Sequence, residues 1–135
     1  TKAVYALLEN IIKNYNVDKS RIYLTGLSMG GWGSWKLADE HPELFADVAP
    51  VCGPMNRPTL DRACVHLKDK PIWIFNGALD DIVPLENSTT LYKKLKSCDA
   101  NVHYTIFEND NHNSWDSTYS DPKLYEWMFA QKLAN

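Results

Sequence analysis

The sequence predicts an α/β fold in which roughly four parallel strands are flanked by helices. Three observations point there. Segments with helical spacing alternate with short β-branched and aromatic runs along the whole chain. The clearest of those runs, Pro71-Ile72-Trp73-Ile74-Phe75-Asn76-Gly77, is apolar at successive positions, as in strands buried on both faces of a parallel sheet. At 135 residues the chain suits one domain, residues 1–135, with no room for a second of ordinary size.

The elements follow in order. Val4, Leu7, Leu8, Ile11, Ile12 and Tyr15 recur at i, i+3, i+4, i+7, i+8 and i+11, one face of an amphipathic helix. Asn16-Val17-Asp18 favours a turn after it. Arg21 to Gly26 reads as a buried strand. A helix is predicted from Met29 to Glu40, stopped by His41-Pro42. Asp47 to Gly53 reads as the next strand. Met55 to Lys70 is irregular, with a short helix from Leu60 to Leu67. Beyond the Pro71–Gly77 strand, Leu91 and Leu95 among lysines mark an amphipathic helix after Pro84. Val102 to Phe107 is the last strand, and Leu124, Trp127, Met128 and Leu133 mark a terminal helix.

Composition excludes several classes. Hydrophobic residues make up 44% and charged residues 23%, a globular balance rather than a disordered or collagen-like one. Fourteen basic against seventeen acidic side chains give a net charge of −3, which argues against nucleic acid or a polybasic membrane contact. No apolar run approaches the roughly 18–20 residues that span a bilayer. Cys52, Cys64 and Cys98 form no CxxC pair, so neither a zinc site nor a disulfide scaffold is indicated. Cys52, in an apolar run, reads as a buried thiol, and a Cys52–Cys64 bridge stays open.

Gly26-Leu27-Ser28-Met29-Gly30 is a G-x-S-x-G pattern set between a predicted strand and a predicted helix. That context is a sharp turn that exposes the Ser28 hydroxyl and calls for glycine on either side. It also places the Met29 N–H at a helix N-terminus, where it can face a developing oxyanion. A serine hydroxyl becomes a nucleophile when a histidine takes its proton and an acid orients that histidine. Asp80 follows the Ile72–Phe75 strand and His112 follows the Val102–Phe107 strand. Both loops lie at the carboxyl ends of strands, where parallel sheets build their sites.

These motifs, Gly-Leu-Ser-Met-Gly-Gly-Trp, Gly-x-x-Asp-Asp-x-Val-Pro and His-Asn-Ser-Trp-Asp, resemble the three site motifs of α/β-hydrolase serine esterases. The closest group holds predicted peptidases, polyhydroxybutyrate-depolymerase-like enzymes, feruloyl and acetyl-xylan esterases and phospholipase/carboxylesterases. The resemblance runs from about Tyr5 to Lys132. It implies a Ser28–His112–Asp80 triad cleaving a carboxylic ester through an acyl-enzyme, with the Met29 N–H as an oxyanion donor. No cofactor or metal is implied, and the substrate would be a small-molecule or polysaccharide-linked ester. Asn76 stands where the group usually has histidine, a change expected to be harmless.

The resemblance also implies about four strands and a helix ahead of Thr1, with a loop that supplies the second oxyanion donor. The chain therefore reads as a partial α/β-hydrolase fold, the C-terminal half of an esterase domain. The Ile22–Thr25 strand then becomes an exposed edge, expected to recruit a second copy or an N-terminal partner segment. The alternatives to a working enzyme are a non-catalytic fragment or interaction module, and a subunit completed by a second chain.

Other residues carry lesser expectations. Asp81 rivals Asp80 as the acid but reads as a turn cap. Glu108 is a more distant rival. Trp32 and Trp35 share helical spacing, so core packing is the default, with Trp32 also a candidate for substrate binding beside Trp115. Asn113 and Ser114 are candidates to bind or position the histidine loop, with loop solvation the default; His41 reads as a helix-end residue, and His66 and His103 carry no assigned role.

Overall fold

The computed structural model describes residues 1–134. Helix α1 (Lys2–Asn14) leads to strand β1 (Tyr23–Leu27), helix α2 (Met29–Glu40) and strand β2 (Asp47–Val51). Then come α3 (Arg57–His66), β3 (Ile72–Gly77), α4 (Glu86–Ser97) and β4 (Val102–Phe107). Two helices, α5 (Trp115–Tyr119) and α6 (Pro122–Ala130), close the series. The four strands form one parallel sheet in the order β1-β2-β3-β4. None of the described helices is long and apolar enough to cross a membrane.

Alternation along the strands splits the core in two. Ile72 and Ile74 of β3 pack on one face with Trp35 and Ala38 of α2, Ala63 of α3, and Leu91 and Leu95 of α4. Phe75, on the opposite face, packs with Leu124 and Met128 of α6, joined by Trp73 and Trp115. Trp35 is thus the core residue that its spacing predicts.

The departures have local causes. Helix α3 begins at Arg57 rather than Leu60, because Pro58 in its first turn is compatible with a helix start. Strand β2 ends at Val51, since Cys52 takes a left-handed φ of 42°. Helix α5 has no counterpart in the sequence reading. It starts where the Asn113 side chain accepts the Asp116 N–H at 3.2 Å, and its five residues are too few to show a period. The final helix stops at Ala130, short of Leu133.

The open Cys52–Cys64 pairing is corrected: Cys64 is bonded to Cys98, with Cα atoms 6.0 Å apart, and Cys52 is free. Cys64 lies on α3 and Cys98 at the end of α4, two helices packed on one face of the sheet. Cys52 belongs to the core on the other face, out of reach.

Helix α1 has the predicted apolar stripe but buries none of its residues. Val4 is 56% exposed, Leu7 60% and Tyr15 69%. Tyr5 stacks on His41 at 3.9 Å between ring centroids. Strand β1 beside it is an edge of the sheet.

Two buried carboxylates lie away from the carboxyl end of the sheet. Asp39 of α2 accepts hydrogen bonds from the Arg62 guanidinium and lies 2.8 Å from His66 Nδ1, tying α2 to α3. Burial alone would raise its pKa, but the Arg62 and His66 bonds outweigh burial and hold it below the usual carboxylate value. Asp47, which opens β2, is fully buried and neither of its oxygens has a hydrogen-bond partner among the described residues. Burial pushes its pKa up to about 7, against the opposing charge of Lys70.

Candidate active site

Between β1 and α2 the chain turns at Ser28 with φ 54° and ψ −114°. A non-glycine residue held there carries roughly 1–3 kcal/mol of backbone strain, and the Ser28 N–H anchors it to the Val51 carbonyl at 2.9 Å. A Cβ on Gly26 would run into the Gly30 carbonyl and lie 2.9 Å from Ser34 Oγ, so glycine is required there. Gly30 is different. A Cβ on it would meet nothing within 4 Å, which corrects the expectation that the turn needs glycine on both sides.

Two further loops converge on the same end of the sheet. A Cβ on Gly77 would strike the Asp110 and Asn111 carbonyls, so glycine lets the loop after β3 lie directly against the loop after β4. Backbone bonds from Ala78 to Phe107 (2.9 Å) and from Leu79 to Asp110 (3.0 Å) join them. Asn76, at the position of the usual histidine, is buried and accepts the Ser88 hydroxyl at 2.9 Å, fastening α4 to β3.

The side chains meet in a line. Ser28 Oγ lies 2.9 Å from His112 Nε2, and His112 Nδ1 lies 2.9 Å from Asp80 Oδ2. The neutral histidine tautomer with its proton on Nδ1 satisfies both contacts, donating to Asp80 and accepting from Ser28. The other Asp80 oxygen, Oδ1, accepts the N–H groups of Ile82 (2.9 Å) and Val83 (2.8 Å). Asp80 therefore caps its own turn. Asp81, expected to do so, is exposed, as is Glu108.

Met29 heads α2 and is 80% exposed. As a first-turn residue its N–H has no acceptor within the helix and is available to a ligand. Trp115 stands perpendicular to the His112 ring at 5.5 Å. Trp32 lines an apolar cavity of about 390 Å³ with Leu24, Met29 and Leu37, one helical turn from Ser28. A larger cavity of about 910 Å³ lies elsewhere, between α1, Ile22 and Leu44.

Two further residues belong to this end of the sheet. Ser114 is fully buried rather than solvating its loop. Cys52 places its sulfur, with an Asp80 oxygen and a His112 nitrogen, in a group whose members all lie within 4.8 Å of one another. Burial pushes its thiol pKa up. The available signal was position: Cys52 directly follows a strand at the carboxyl edge of the sheet.

Together these residues provide a hydroxyl, a proton acceptor in contact with it, an acid fixing that acceptor's tautomer, and a free backbone donor alongside. That set can carry out acyl transfer.

Comparison with known proteins agrees with this architecture. The sequence model of the dienelactone hydrolase family matches residues 1–121. The bifunctional acetylxylan esterase/xylanase XynS20E of Neocallimastix patriciarum is 26% identical over 118 residues, 82% of this chain and 17% of that protein. Poly(3-hydroxyalkanoate) depolymerase C of Paucimonas lemoignei is 35% identical over 51 residues, 38% of this chain and 12% of that protein. The crystal structure of a thermostable esterase superposes with a TM-score of 0.89 at 41% identity, over 97% of this chain and 36% of that one. The chain thus spans less than a fifth of these two sequence relatives and about a third of the structural one.

Proposed function

This chain belongs to the dienelactone hydrolase family and has the α/β-hydrolase fold, and from that premise we propose that it hydrolyses a carboxylic ester through an acyl-enzyme on Ser28. The observation that carries this reading is the pair of 2.9 Å contacts running from Ser28 through His112 to Asp80.

Ser28 Oγ attacks the ester carbonyl as its proton passes to His112 Nε2. Asp80 keeps the Nδ1 proton in place and offsets the imidazolium charge. The Met29 N–H meets the developing oxyanion. Collapse of the tetrahedral intermediate breaks the ester C–O bond, and the alcohol leaves with the proton from His112. Water, deprotonated by the same histidine, then releases the acid and restores Ser28. No step calls for a metal or cofactor. Trp115, against the histidine, and Trp32, beside Met29, bound the space for substrate. The acyl-ester chemistry in the relatives' names, acetylxylan and polyhydroxyalkanoate, suits a polysaccharide-linked or small ester.

A second reading, hydrolysis only in association with another polypeptide, is favoured by the bare apolar stripe of α1 beside the edge strand β1. p-Nitrophenyl acetate turnover by the chain and its Ser28→Ala variant tests both. The first reading expects turnover that vanishes in the variant, at a rate per molecule independent of protein concentration. A rate per molecule that climbs with concentration selects the second. Equal background in both proteins at every concentration would refute both.

A further inference from the structure

The acid and base proposed above share their buried side with a thiol. Cys52 is fully buried and is the free cysteine of the three, the other two being bonded to each other. Its left-handed backbone follows directly on β2, and its sulfur lies within 4.8 Å of both an Asp80 oxygen and a His112 nitrogen. A second observation marks the same spot. Ser114 Oγ is wholly buried and approaches the Cys52 thiol, yet it makes no well-formed hydrogen bond to any described residue.

We propose that Cys52, His112 and Asp80, with Ser114 beside them, form an inhibitory binding site for a thiophilic divalent cation, of which Zn²⁺ is the type. One sulfur, one imidazole nitrogen and one carboxylate oxygen are the donor mix that zinc and cadmium accept, whereas Mg²⁺ and Ca²⁺ require oxygen alone. Around a tetrahedral zinc, donor atoms sit roughly 3–4 Å apart, given bond lengths of about 2.0–2.3 Å. His112 Nδ1 and Asp80 Oδ2 already stand 2.9 Å apart, and a sulfur, a nitrogen and an oxygen of the three residues lie within 4.8 Å of one another, so small side-chain shifts bring the donors to zinc distances. The Ser114 hydroxyl or a water fills the fourth position.

A bound cation would inhibit by moving the histidine's proton. Binding displaces the thiol proton to solvent and takes the Nδ1 lone pair of His112. The imidazole stays neutral, so its single proton transfers to Nε2. His112 then presents a donor to Ser28 where the proposed reaction needs an acceptor. The site itself stands on geometry alone; only the inhibition rests on the ester-hydrolysis reading.

The test is a Cd²⁺ titration of the full chain with its disulfide intact, followed by ultraviolet cadmium–thiolate absorbance, with the effect of Zn²⁺ on p-nitrophenyl acetate turnover measured in parallel. One Cd²⁺ per chain should bind, be displaced by Zn²⁺ and ignore Mg²⁺. The absorbance should vanish in Cys52→Ala, and His112→Gln, on a partly exposed loop, should weaken binding about 10–100-fold or more. The ratio of rates with and without Zn²⁺ should fall at least tenfold in the natural chain and stay near one in Cys52→Ala. Thiolate absorbance that survives in Cys52→Ala, or an affinity unchanged in His112→Gln, would overturn the site. Cadmium binding as described, in a chain without metal-free turnover, would leave the site standing and refute the hydrolysis reading.

Discussion

Val83 donates its backbone N–H to Asp80 Oδ1 at 2.8 Å, so the carboxylate that faces His112 is gripped from behind by its own loop. One side chain thus serves both geometry and charge, and two substitutions separate these duties. Asp80→Asn keeps an oxygen for Val83 but favours the wrong histidine tautomer, and kcat should fall about 10⁴-fold with little change in melting temperature. Asp80→Ala should lose at least as much activity. It should also destabilise the fold by about 1–3 kcal/mol, because the Ile82 and Val83 N–H groups lose their acceptor. Esterase kinetics and thermal melts on both variants check this.

Asp47 makes stability fall as pH rises from about 4 to about 7. Its folded pKa of about 7 lies above the ordinary carboxylate value, so the cost of ionising it is absent below about pH 4, grows as pH rises toward 7 and levels off above it. A gap of this size corresponds to about 4 kcal/mol. Asp47→Asn should therefore melt higher than the natural chain at pH 8.5, with the difference shrinking steadily toward pH 4. Paired melts across that range would show it, and a pH-independent difference would refute it.

Asp39 acts in the opposite direction. Its pKa is lowered in the folded chain, so its contribution is present above the ordinary carboxylate value and is lost as pH falls through the depressed one. Arg62→Leu leaves the buried carboxylate with His66 and Thr59 alone and should cost up to about 3 kcal/mol at neutral pH, discounted because Arg62 is itself half-exposed. The loss should shrink in acid. Urea titrations at pH 7 and pH 3.5 compare the two conditions.

Helix α1 should drive association of the isolated chain. Val4, Leu7 and Ile11 form an exposed apolar stripe beside the edge strand β1, and such surfaces recruit partners. Light scattering should show a mass that rises with concentration. Leu7→Glu combined with Ile11→Lys should return it to that of a single chain.

Much of this arrangement can be read from local signals. Helix α2 is bounded as predicted by the Ser28 turn and Pro42, and β4 spans Val102–Phe107 as its β-branched and aromatic run requires. The placement of Ser28, Asp80 and His112 at one end of the sheet follows from their loops after the parallel strands β1, β3 and β4. What sequence could not show depends on distance in space. The Cys64–Cys98 bond and the Asp39–Arg62 pair exist because α3 packs between α2 and α4, and no spacing rule encodes that. The contact of Cys52 with the site depends on one left-handed residue. The freedom at Gly30 appears only once α2 is built and its neighbours are known to be absent.

The Cys64–Cys98 bond encloses β3, the Asp80 loop and α4 in a covalent ring, with Ser28 and His112 outside it. A protease that nicks the chain once between those cysteines opens the ring without releasing a fragment. The severed acid loop stays tethered, and β3 remains sandwiched between β2 and β4. Such a nick would be invisible on a non-reducing gel and would appear as two bands only after the sulfurs are parted.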